Sequence, residues 1–395
     1  MFANGLPYLA IPGPSVMPDR VLRAMHRPAP NIYTGELHDV TRSLIPDLKA
    51  VAGTVHNVAI YIANGHGAWE AALSNVIGAG DAVLVLATGR FCIGWGEMAE
   101  SLGADVETLD FGNSAAVDLA QVEAALRADT CGRIKAVLTV LVDTSTGVLN
   151  DIKGIRAAMD AAGHDALLMC DCIASLGCDE YHMDDWGVDI TVAASQKGLM
   201  TPPGIAFVWF NDKAAAVRNA HAGVSRYWDW RPRASAEEYW MLFDGTAPTH
   251  HIYGAREALD MINEEGLPAI WARHDGLARA IWAAVDVWAS HGPLEMNVAD
   301  PASRSRAVTS LKLGEGQADA LRTWCEKTMG VTLGIGLGRT PSSAFFRLGH
   351  MGHVNGHMIM GLLGTLDAGL KALEIAHGTG ALDAASRVIA DVSTR

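Results

Sequence analysis

Short apolar runs alternate along the first half of the chain with longer Ala-rich segments. The runs are rich in β-branched residues and are typical of buried strands, whereas the segments between them carry apolar residues at helical spacing. This alternation predicts an α/β fold in which helices cover both faces of a mostly parallel sheet. The seven predicted strands span residues 58–62, 82–87, 105–110, 134–142, 166–171, 190–194 and 205–210.

The pattern changes near residue 255, where long Ala-rich helices begin to enclose a few short strands. This change predicts a smaller α+β domain at the C-terminal end of the chain. We expect an N-terminal segment over residues 1–20, a large α/β domain over 21–255 and a small domain over 256–395. The Trp-rich stretch at 226–240 is expected to be a loop or short helix, whose aromatic side chains either line a substrate entrance or pack against a partner subunit.

Composition narrows the class of protein. Half of the 395 residues are hydrophobic and 19% are charged, which is typical of a packed globular protein and excludes intrinsic disorder. The formal net charge of -14 argues against nucleic acid or an anionic membrane as the main partner, because both attract basic surfaces. No stretch reaches the roughly 18 uninterrupted apolar residues of a membrane span. We therefore expect a cytoplasmic protein that acts on small molecules.

The six cysteines form no regular framework. Cys170 and Cys172 lie two positions apart in the apolar run ALLMCDC, which places both on the same face of a buried strand. Core packing of reduced thiols is therefore favoured over metal binding. His350, His353 and His357 have no acidic or cysteine partner at an obvious ligand spacing, so no metal site is predicted.

Lys197 lies in the segment DITVAASQKGLMTPPG, shortly after a predicted strand that ends at Ala194. A lysine held between apolar walls at a strand end loses hydration, which lowers its pKa and makes its amine a nucleophile toward carbonyl groups. Alternatively, Lys197 is a turn residue whose amine lies in water. The segment by itself leaves both interpretations open.

Asp171 favours the first interpretation. It ends the predicted strand 166–171, and the 26 positions between it and Lys197 leave room for one crossover helix. Both residues are then expected at the carboxyl ends of parallel strands in one sheet. Such a pair is typical of enzymes that use pyridoxal 5'-phosphate, in which the aspartate keeps the pyridine nitrogen protonated. A role for Asp171 as a helix N-cap would leave Lys197 unexplained.

Three further features fit the same cofactor. The segment NGHG at 64–67 opens a predicted helix, whose N-H groups and dipole attract a phosphate. Phe91 can stack on a pyridine ring, and Thr144 can offer its hydroxyl to the ring oxygen. Each feature also has an ordinary explanation, respectively a Gly-rich turn, a core aromatic residue and a helix cap.

An ordered set of motifs spans almost the whole chain: PGP at 12–14, GHGAWEAAL at 65–73, GRF at 89–91, DTSTGV at 143–148, Asp171, SQKG with PPG at 195–204, GTAP at 245–248 and RLGHMG at 347–352. This set resembles the class V aminotransferases of fold type I. Within them, it resembles the serine/alanine:glyoxylate aminotransferases and the pyridoxamine:pyruvate transaminase. The resemblance implies a pyridoxal 5'-phosphate-dependent aminotransferase that works as a homodimer with shared active sites.

The resemblance also implies roles for individual residues. Lys197 forms the Schiff base with the cofactor, Asp171 pairs with the pyridinium nitrogen, and Thr246 reaches the phosphate in the neighbouring subunit. Arg347 binds the substrate carboxylate, to which a guanidinium donates two parallel hydrogen bonds, and Tyr33 contributes to the substrate site. The implied cofactor-binding residues are Gly65, His66, Gly67, Phe91, Thr144, Asp171, Ile173, Gln196, Lys197 and Thr246.

Tyr33, Phe91 and Trp95 are expected to narrow the substrate space, which favours alanine, serine or aspartate as amino donor and glyoxylate or pyruvate as acceptor. The alternatives are a pyridoxamine:pyruvate transaminase, a pyridoxal-phosphate-dependent lyase and a non-enzymatic protein that binds the cofactor. A dinucleotide-binding loop at 334–340 (GIGLGRT) is disfavoured, because a strand-like segment rather than a helix follows it. Phe243 stands where many relatives carry a tyrosine that contacts the phosphate.

Overall fold

The computed structural model describes residues 2–393. Its strands are β1 (Tyr8–Ala10), β2 (Asn57–Tyr61), β3 (Ala82–Ala87), β4 (Asp105–Asp110), β5 (Ile134–Val140), β6 (Leu167–Asp171), β7 (Ile190–Ala194), β8 (Ala206–Phe210), β9 (Glu295–Met296), β10 (Val308–Lys312), β11 (Val331–Ile335) and β12 (Phe345–Gly349). Its α-helices are α1 (Asp19–Met25), α2 (Glu36–Ala52), α3 (Gly65–Val76), α4 (Arg90–Ser101), α5 (Leu119–Ala128), α6 (Ile152–Ala162), α7 (Asp212–Ala220), α8 (Arg231–Ala234), α9 (Thr249–Glu265), α10 (Leu267–Ala289), α11 (Gln317–Trp324), α12 (Gly356–Ala372) and α13 (Ala381–Ser393).

Seven strands of the described chain form a large sheet in the order β2-β8-β7-β6-β5-β3-β4. They are the seven strands that the sequence predicts, and their ends differ from the prediction by at most two residues. Strand β8 runs antiparallel to β2 and β7, whereas the other neighbours run parallel. The predicted α/β architecture with a mostly parallel sheet is therefore confirmed.

The central strands are buried on both faces, which explains why they appear in the sequence as continuous apolar runs. Along β3, Val83 and Val85 pack into one core, and Leu84 and Leu86 pack into the other. Helices α3 and α4 cover the first face, and α2, α5 and α6 cover the second. Burial of each such aliphatic side chain contributes roughly 1.5–3 kcal/mol, so the two cores hold the strand ends firmly in place.

A second sheet in the described chain has the strand order β1-β11-β12-β10-β9. Strand β1 runs parallel to β11, and the remaining neighbours are antiparallel. Helices α10, α12 and α13 pack on this sheet around a third core, as expected for an α+β unit. The N-terminal segment therefore contributes a strand to the C-terminal sheet, which the sequence pattern does not indicate.

The domain boundary at residue 255 stays a prediction. Helix α9 runs through this position without a break. Beyond it, Ala258, Leu259 and Ile262 still belong to the core beneath the large sheet. The sequence pattern thus changes within α9, a helix that packs against the large sheet on both sides of residue 255.

The Trp-rich stretch at 226–240 forms a loop that contains the short helix α8, as the sequence predicts. Trp230 within it is fully buried and stacks on Phe210 of β8, with ring centroids 4.2 Å apart. This tryptophan therefore belongs to the core of its own subunit. Trp240, at the far end of the stretch, is 46% exposed.

The six cysteines are free thiols, and five of them are buried. Cys170 of β6 and Cys172, which directly follows the strand, pack into the same core with their Sγ atoms 3.6 Å apart. Over residues 2–393, no helix is long and apolar enough to span a bilayer. The same residues contain no group of three or more His, Cys, Asp or Glu side chains that could hold a metal ion.

A close backbone approach holds the N-terminal segment against the second sheet. The carbonyl oxygen of Ile11 lies 2.0 Å from the position that a Cβ on Gly349 would occupy. The ring of Pro12 lies in the same way against Gly334, with its Cδ atom 2.7 Å from the Cβ position. These two glycines let the segment after β1 lie closely against the second sheet. Pro12 is thereby placed within hydrogen-bond reach of Lys197.

Gly349→Ala should destabilise the protein by about 1–3 kcal/mol, as in other overpacked cores, because the Ile11 backbone has to move. Gly361→Ala is the matched control, since no atom lies within 4 Å of its Cβ position in α12. That change should stabilise the protein by about 0.5–1 kcal/mol, the helix propensity gained. Urea unfolding measures both effects, and equal effects in the two variants would contradict the close approach.

Candidate active site

The carboxyl ends of the central strands meet at one edge of the large sheet. Strand β5 leads to Asp143, β6 ends at Asp171, and β7 is followed after two residues by Lys197. Because β5, β6 and β7 are parallel neighbours, their carboxyl ends lie side by side. The predicted placement of Asp171 and Lys197 at one sheet edge is confirmed, and ligands of such sheets bind at this edge.

The Lys197 amine is buried inside the protein. The residue is 9% exposed, and its Nζ donates a hydrogen bond to the Pro12 carbonyl oxygen. Gly13 makes room for the side chain, because a Cβ there would lie 2.4 Å from Lys197 Cδ. Burial, reinforced by the positive charge of Arg347, lowers the pKa of Lys197 to about 8. A fraction of the amine is therefore free and nucleophilic near neutral pH.

Asp171 is a buried side chain with both carboxylate oxygens engaged. Its Oδ1 accepts a hydrogen bond from the Ile173 N-H at 2.6 Å, and its Oδ2 accepts one from the Trp69 indole Nε1 at 2.8 Å. Burial raises the pKa of Asp171 to about 7, although the two hydrogen bonds oppose the rise. Asp171 forms no ion pair with a residue of the described chain, so a cation placed beside it would favour its ionised form.

A second buried carboxylate, Asp143, connects Phe91 to the loop that carries Thr144. Its Oδ2 accepts from the Phe91 N-H at 2.9 Å, and its Oδ1 accepts from the Ser145 N-H at 2.9 Å. Gly89 is required beside it, because a Cβ there would lie 2.4 Å from Asp143 Cγ. Asp143 thus fixes the first turn of α4 against the loop. The sequence signals of Asp143 are its position after a buried strand and at the start of the DTSTGV motif, but neither predicts this role.

Arg347 reaches the site from β12 of the second sheet. It is 6% exposed, its Nε donates to the Ile335 carbonyl oxygen at 2.7 Å, and one Nη donates to the Thr144 carbonyl oxygen at 2.8 Å. Desolvation lowers the pKa of Arg347 to about 10. No carboxylate of the described residues forms an ion pair with Arg347, so a bound carboxylate would supply the missing charge and accept its remaining N-H groups.

The first turn of α3 has the features of an anion site. The Asn64 side chain caps the helix and accepts a hydrogen bond from the Gly67 N-H at 3.2 Å. Gly65 lies directly against Ile173, since a Cβ on Gly65 would be 2.5 Å from Ile173 Cδ1. The His66 side chain is exposed beside this turn. Helix N-termini with free N-H groups and no large side chain over them attract phosphates.

Several predicted residues lie apart from this cluster in the single chain. Tyr33 is 82% exposed on the segment before α2, and Thr246 is exposed on the loop before α9. Their roles stay predictions. The expectation that Trp95 narrows the substrate space is wrong, because Trp95 is fully buried and stacks on Trp69 at a centroid distance of 6.1 Å. Phe91, one helical turn earlier, is partly exposed at the site.

Comparison with known proteins defines the class. The model of the family "Aminotransferase class-V" matches residues 8–353. The chain is 34% identical over 393 residues to the serine–glyoxylate aminotransferase of Methylorubrum extorquens, which covers 97% of this chain and 96% of that protein. It is similar to the crystal structure of the ureidoglycine–glyoxylate aminotransferase of Bacillus subtilis, with a TM-score of 0.88, 25% identity and 98% of each chain covered. It is equally similar to that of the pyridoxamine–pyruvate aminotransferase of Mesorhizobium loti, with a TM-score of 0.88, 26% identity and 98% of each chain covered.

The chain therefore belongs to the class-V aminotransferases and is a pyridoxal 5'-phosphate-dependent enzyme. The residues at the sheet edge fit that cofactor. Asp171 is a buried carboxylate that forms no ion pair within the described chain, and Lys197 is an amine of lowered pKa. The Gln196 Oε1 is buried without a hydrogen-bond partner in that part of the chain, so its amide is free to turn toward a ligand.

The lowered pKa of Lys197 should be measurable in the cofactor-free protein from the pH dependence of its acylation, because only the free amine reacts. We expect a midpoint at a pH of about 8. Arg347→Gln should raise the midpoint, since removal of a nearby positive charge favours the protonated amine. Mass spectrometry of the Lys197 peptide follows the reaction.

Arg339→Gln is the matched control for that experiment. Arg339 donates to the Asn113 carbonyl oxygen and to Asn297, and it is not among the groups whose charge shifts the pKa of Lys197. Its replacement should leave the midpoint unchanged. The same midpoint in all three proteins, or equal shifts in both variants, would show that Arg347 does not act on Lys197.

Proposed function

We propose that this enzyme transfers the amino group of a small amino acid, such as alanine, serine or aspartate, to glyoxylate or pyruvate. The observation that carries the proposal is the convergence of Lys197, Asp171 and Arg347 at one sheet edge, where neither Asp171 nor Arg347 forms an ion pair within the described chain. Asp171 suits the pyridine nitrogen of the cofactor, and Arg347 suits a substrate carboxylate. The names of the similar proteins support the acceptor, since two of them act with glyoxylate and one with pyruvate.

Lys197 is the residue that moves the proton. When bound, the cofactor supplies an electron-poor ring over which the charge that develops at the donor Cα is delocalised. With the cofactor bound, the free Lys197 amine would accept the proton from the donor Cα, and its protonated form would give a proton to the acceptor Cα. A pKa of about 8 suits both duties, because the amine has to be free to accept the proton and protonated to give it back.

Asp171 and Arg347 orient the reactants at opposite ends of the reacting centre. Asp171 would hold a proton on the pyridine nitrogen, and the positive charge there would favour the ionised carboxylate. Arg347 grips the α-carboxylate of donor and acceptor alike. Because β12 and the Thr144 carbonyl oxygen fix the guanidinium, the donor Cα-H bond is presented to Lys197 in one orientation.

The phosphate would be held at the first turn of α3, where the helix dipole favours an anion. The N-H groups of Gly65 and His66 would be its backbone donors, since the Gly67 N-H is bonded to the Asn64 side chain. The Gln196 side chain, which follows β7, would supply an amide donor. Phe91 and Thr144 would contact the ring and its oxygen, and Asp143 holds the Phe91 N-H and the N-H of Ser145, next to Thr144, in place.

A donor panel tests the assignment. Alanine, serine, aspartate, pyridoxamine and phenylalanine are each offered with glyoxylate, pyruvate and 2-oxoglutarate as acceptors. We expect the highest kcat/KM for a small amino acid with glyoxylate or pyruvate and no turnover in Lys197→Ala. Phenylalanine as the best donor would contradict the proposal. Pyridoxamine as the best donor would favour the second candidate function, pyridoxamine–pyruvate transamination, which the similarity to the Mesorhizobium loti structure supports.

Arg347→Lys extends this panel to the carboxylate. A lysine keeps the charge but loses the paired N-H donors. We therefore expect kcat/KM to fall roughly 30- to 1,000-fold, which corresponds to a loss of about 2–4 kcal/mol of transition-state stabilisation. Both KM and kcat are expected to change, since the grip binds the substrate and also aligns its Cα-H bond. Unchanged kinetics would show that another residue holds the carboxylate.

The proposed enzyme is a homodimer in which Thr246 completes the phosphate site of the neighbouring subunit. Thr246 is exposed and forms no side-chain hydrogen bond within the described chain, which supports a partner outside it. Gly245 beside it is also exposed, and nothing lies within 4 Å of its Cβ position. A residue that contacts the neighbouring subunit has to be accessible on the surface of its own subunit, as Thr246 is.

Hybrid dimers test the shared site. Thr246→Ala should weaken cofactor binding roughly tenfold or more, the loss of a hydrogen bond to a charged group. In a hybrid of one Thr246→Ala and one Lys197→Ala subunit, a shared arrangement leaves one site with both native residues. We expect that hybrid to regain half of the native activity at low cofactor concentration. Activity no higher than that of the Thr246→Ala protein would contradict a shared site.

We infer a cytoplasmic location for the enzyme. Its six cysteines are free thiols, which suits a reducing compartment. Its net charge of -14 provides no attraction to nucleic acid or an anionic membrane surface.

A further inference from the structure

We propose that Trp69 is a positioning residue that keeps Asp171 ionised and correctly oriented toward the pyridine nitrogen. The inference rests on the proposed role of Asp171 and extends it to a residue outside the predicted site. Trp69 lies in the second turn of α3, the helix whose first turn is proposed to hold the phosphate. One helix would then support both ends of the cofactor.

The contact between the two side chains is specific. Trp69 Nε1 lies 2.8 Å from Asp171 Oδ2, while the Ile173 N-H occupies Oδ1 at 2.6 Å. An indole N-H is a donor only, so its hydrogen bond stabilises the ionised carboxylate more than the protonated carboxyl group. The two donors fix the plane of the carboxylate and leave it further acceptor positions for a ring N-H.

The ring of Trp69 has little freedom to leave this position. Trp69 is 1% exposed and lies between Trp95, stacked at 6.1 Å and 17°, and His66, at 4.6 Å. Phe91 meets its edge at 6.3 Å. The indole is therefore held by the same helices, α3 and α4, that place the residues proposed to contact the phosphate and the ring.

Asp171 requires this support because its surroundings disfavour a negative charge. Burial is the largest cause of its raised pKa, and the charge of Asp143 adds to it, whereas Trp69, the Ile173 N-H and Lys197 oppose it. The titratable groups coupled to Asp171 through charge are Asp143 after β5, Lys197 after β7, Cys92 on α4 and Cys170 on β6. Removal of the indole N-H leaves these titratable groups in place and removes only the hydrogen bond from Trp69 to Asp171.

The structure offers a matched pair of variants. Trp69→Phe removes the N-H bonded to Asp171, while Trp95→Phe removes an equally buried indole from the same stack. The Trp95 Nε1 has no hydrogen-bond partner in the described chain. A comparison of the two therefore separates the hydrogen bond from the loss of aromatic packing. Should Trp69→Phe fail to fold, benzothienylalanine at position 69 replaces the N-H by sulfur and keeps the ring.

The holoenzymes are compared by the pH midpoint of the visible band of the bound cofactor and by the chemical shift of its isotope-labelled ring nitrogen. In Trp69→Phe we expect the ring-nitrogen signal to move toward that of the unprotonated pyridine. The band midpoint should rise by roughly one pH unit, because less positive charge on the ring raises the proton affinity of the neighbouring Lys197 nitrogen. The kcat should fall about tenfold with KM nearly unchanged, since Arg347 still holds the carboxylate.

Asp171→Asn serves as the reference that separates the possible outcomes. The inference is supported if the ring-nitrogen signal and the band midpoint shift in Asp171→Asn and in Trp69→Phe, while Trp95→Phe gives the values of the native enzyme. A shift in Asp171→Asn alone, or equal shifts in both tryptophan variants, overturns the role of Trp69 and leaves that of Asp171 intact. No shift in Asp171→Asn refutes the proposed role of Asp171, and the inference with it.

Discussion

Asp171, a buried carboxylate that forms no ion pair within the described chain, is the feature on which the rest of the site depends. Removing an ionised group from water costs several kcal/mol unless hydrogen bonds and an opposite charge compensate for it. The fold supplies two N-H donors, from Ile173 and Trp69, but the pKa of Asp171 still rises to about 7. The protonated ring nitrogen of the cofactor would supply the missing charge, so cofactor binding should stabilise the protein.

The architecture brings this carboxylate together with groups from distant parts of the chain. The large sheet carries Asp171 and Lys197, the N-terminal segment contributes Pro12, and the second sheet contributes Arg347. The N-terminal segment that carries Pro12 lies closely against the second sheet at Gly334 and Gly349, where any side chain would force the segment away from the sheet. The positive charge of Arg347 then acts on the Lys197 amine, so the residue proposed to bind substrate also tunes the proposed proton carrier.

The strands and the residues at their ends are predictable from this sequence, because buried strands appear as short apolar runs. Asp171 is the polar residue that ends one such run, and Lys197 follows another. The role of Trp69 is not predictable, because its contact joins residues 102 positions apart and depends on how α3 packs over β7 and β8, beside β6. Trp95 shows the same limit, since its side chain packs inward one turn beyond Phe91. The pattern change at 255 follows composition, whereas the packing of α9 against α1 and α2 continues beyond it.

The central claim is that the amine of Lys197, buried beside Asp171, is the attachment point of the cofactor. Borohydride reduction of the holoenzyme followed by peptide mass mapping tests it most directly. We expect the reduced cofactor on the peptide that contains Lys197, in a ratio approaching one per chain. Attachment to another lysine, or no covalent adduct in a protein that retains its visible band and its activity, would contradict it.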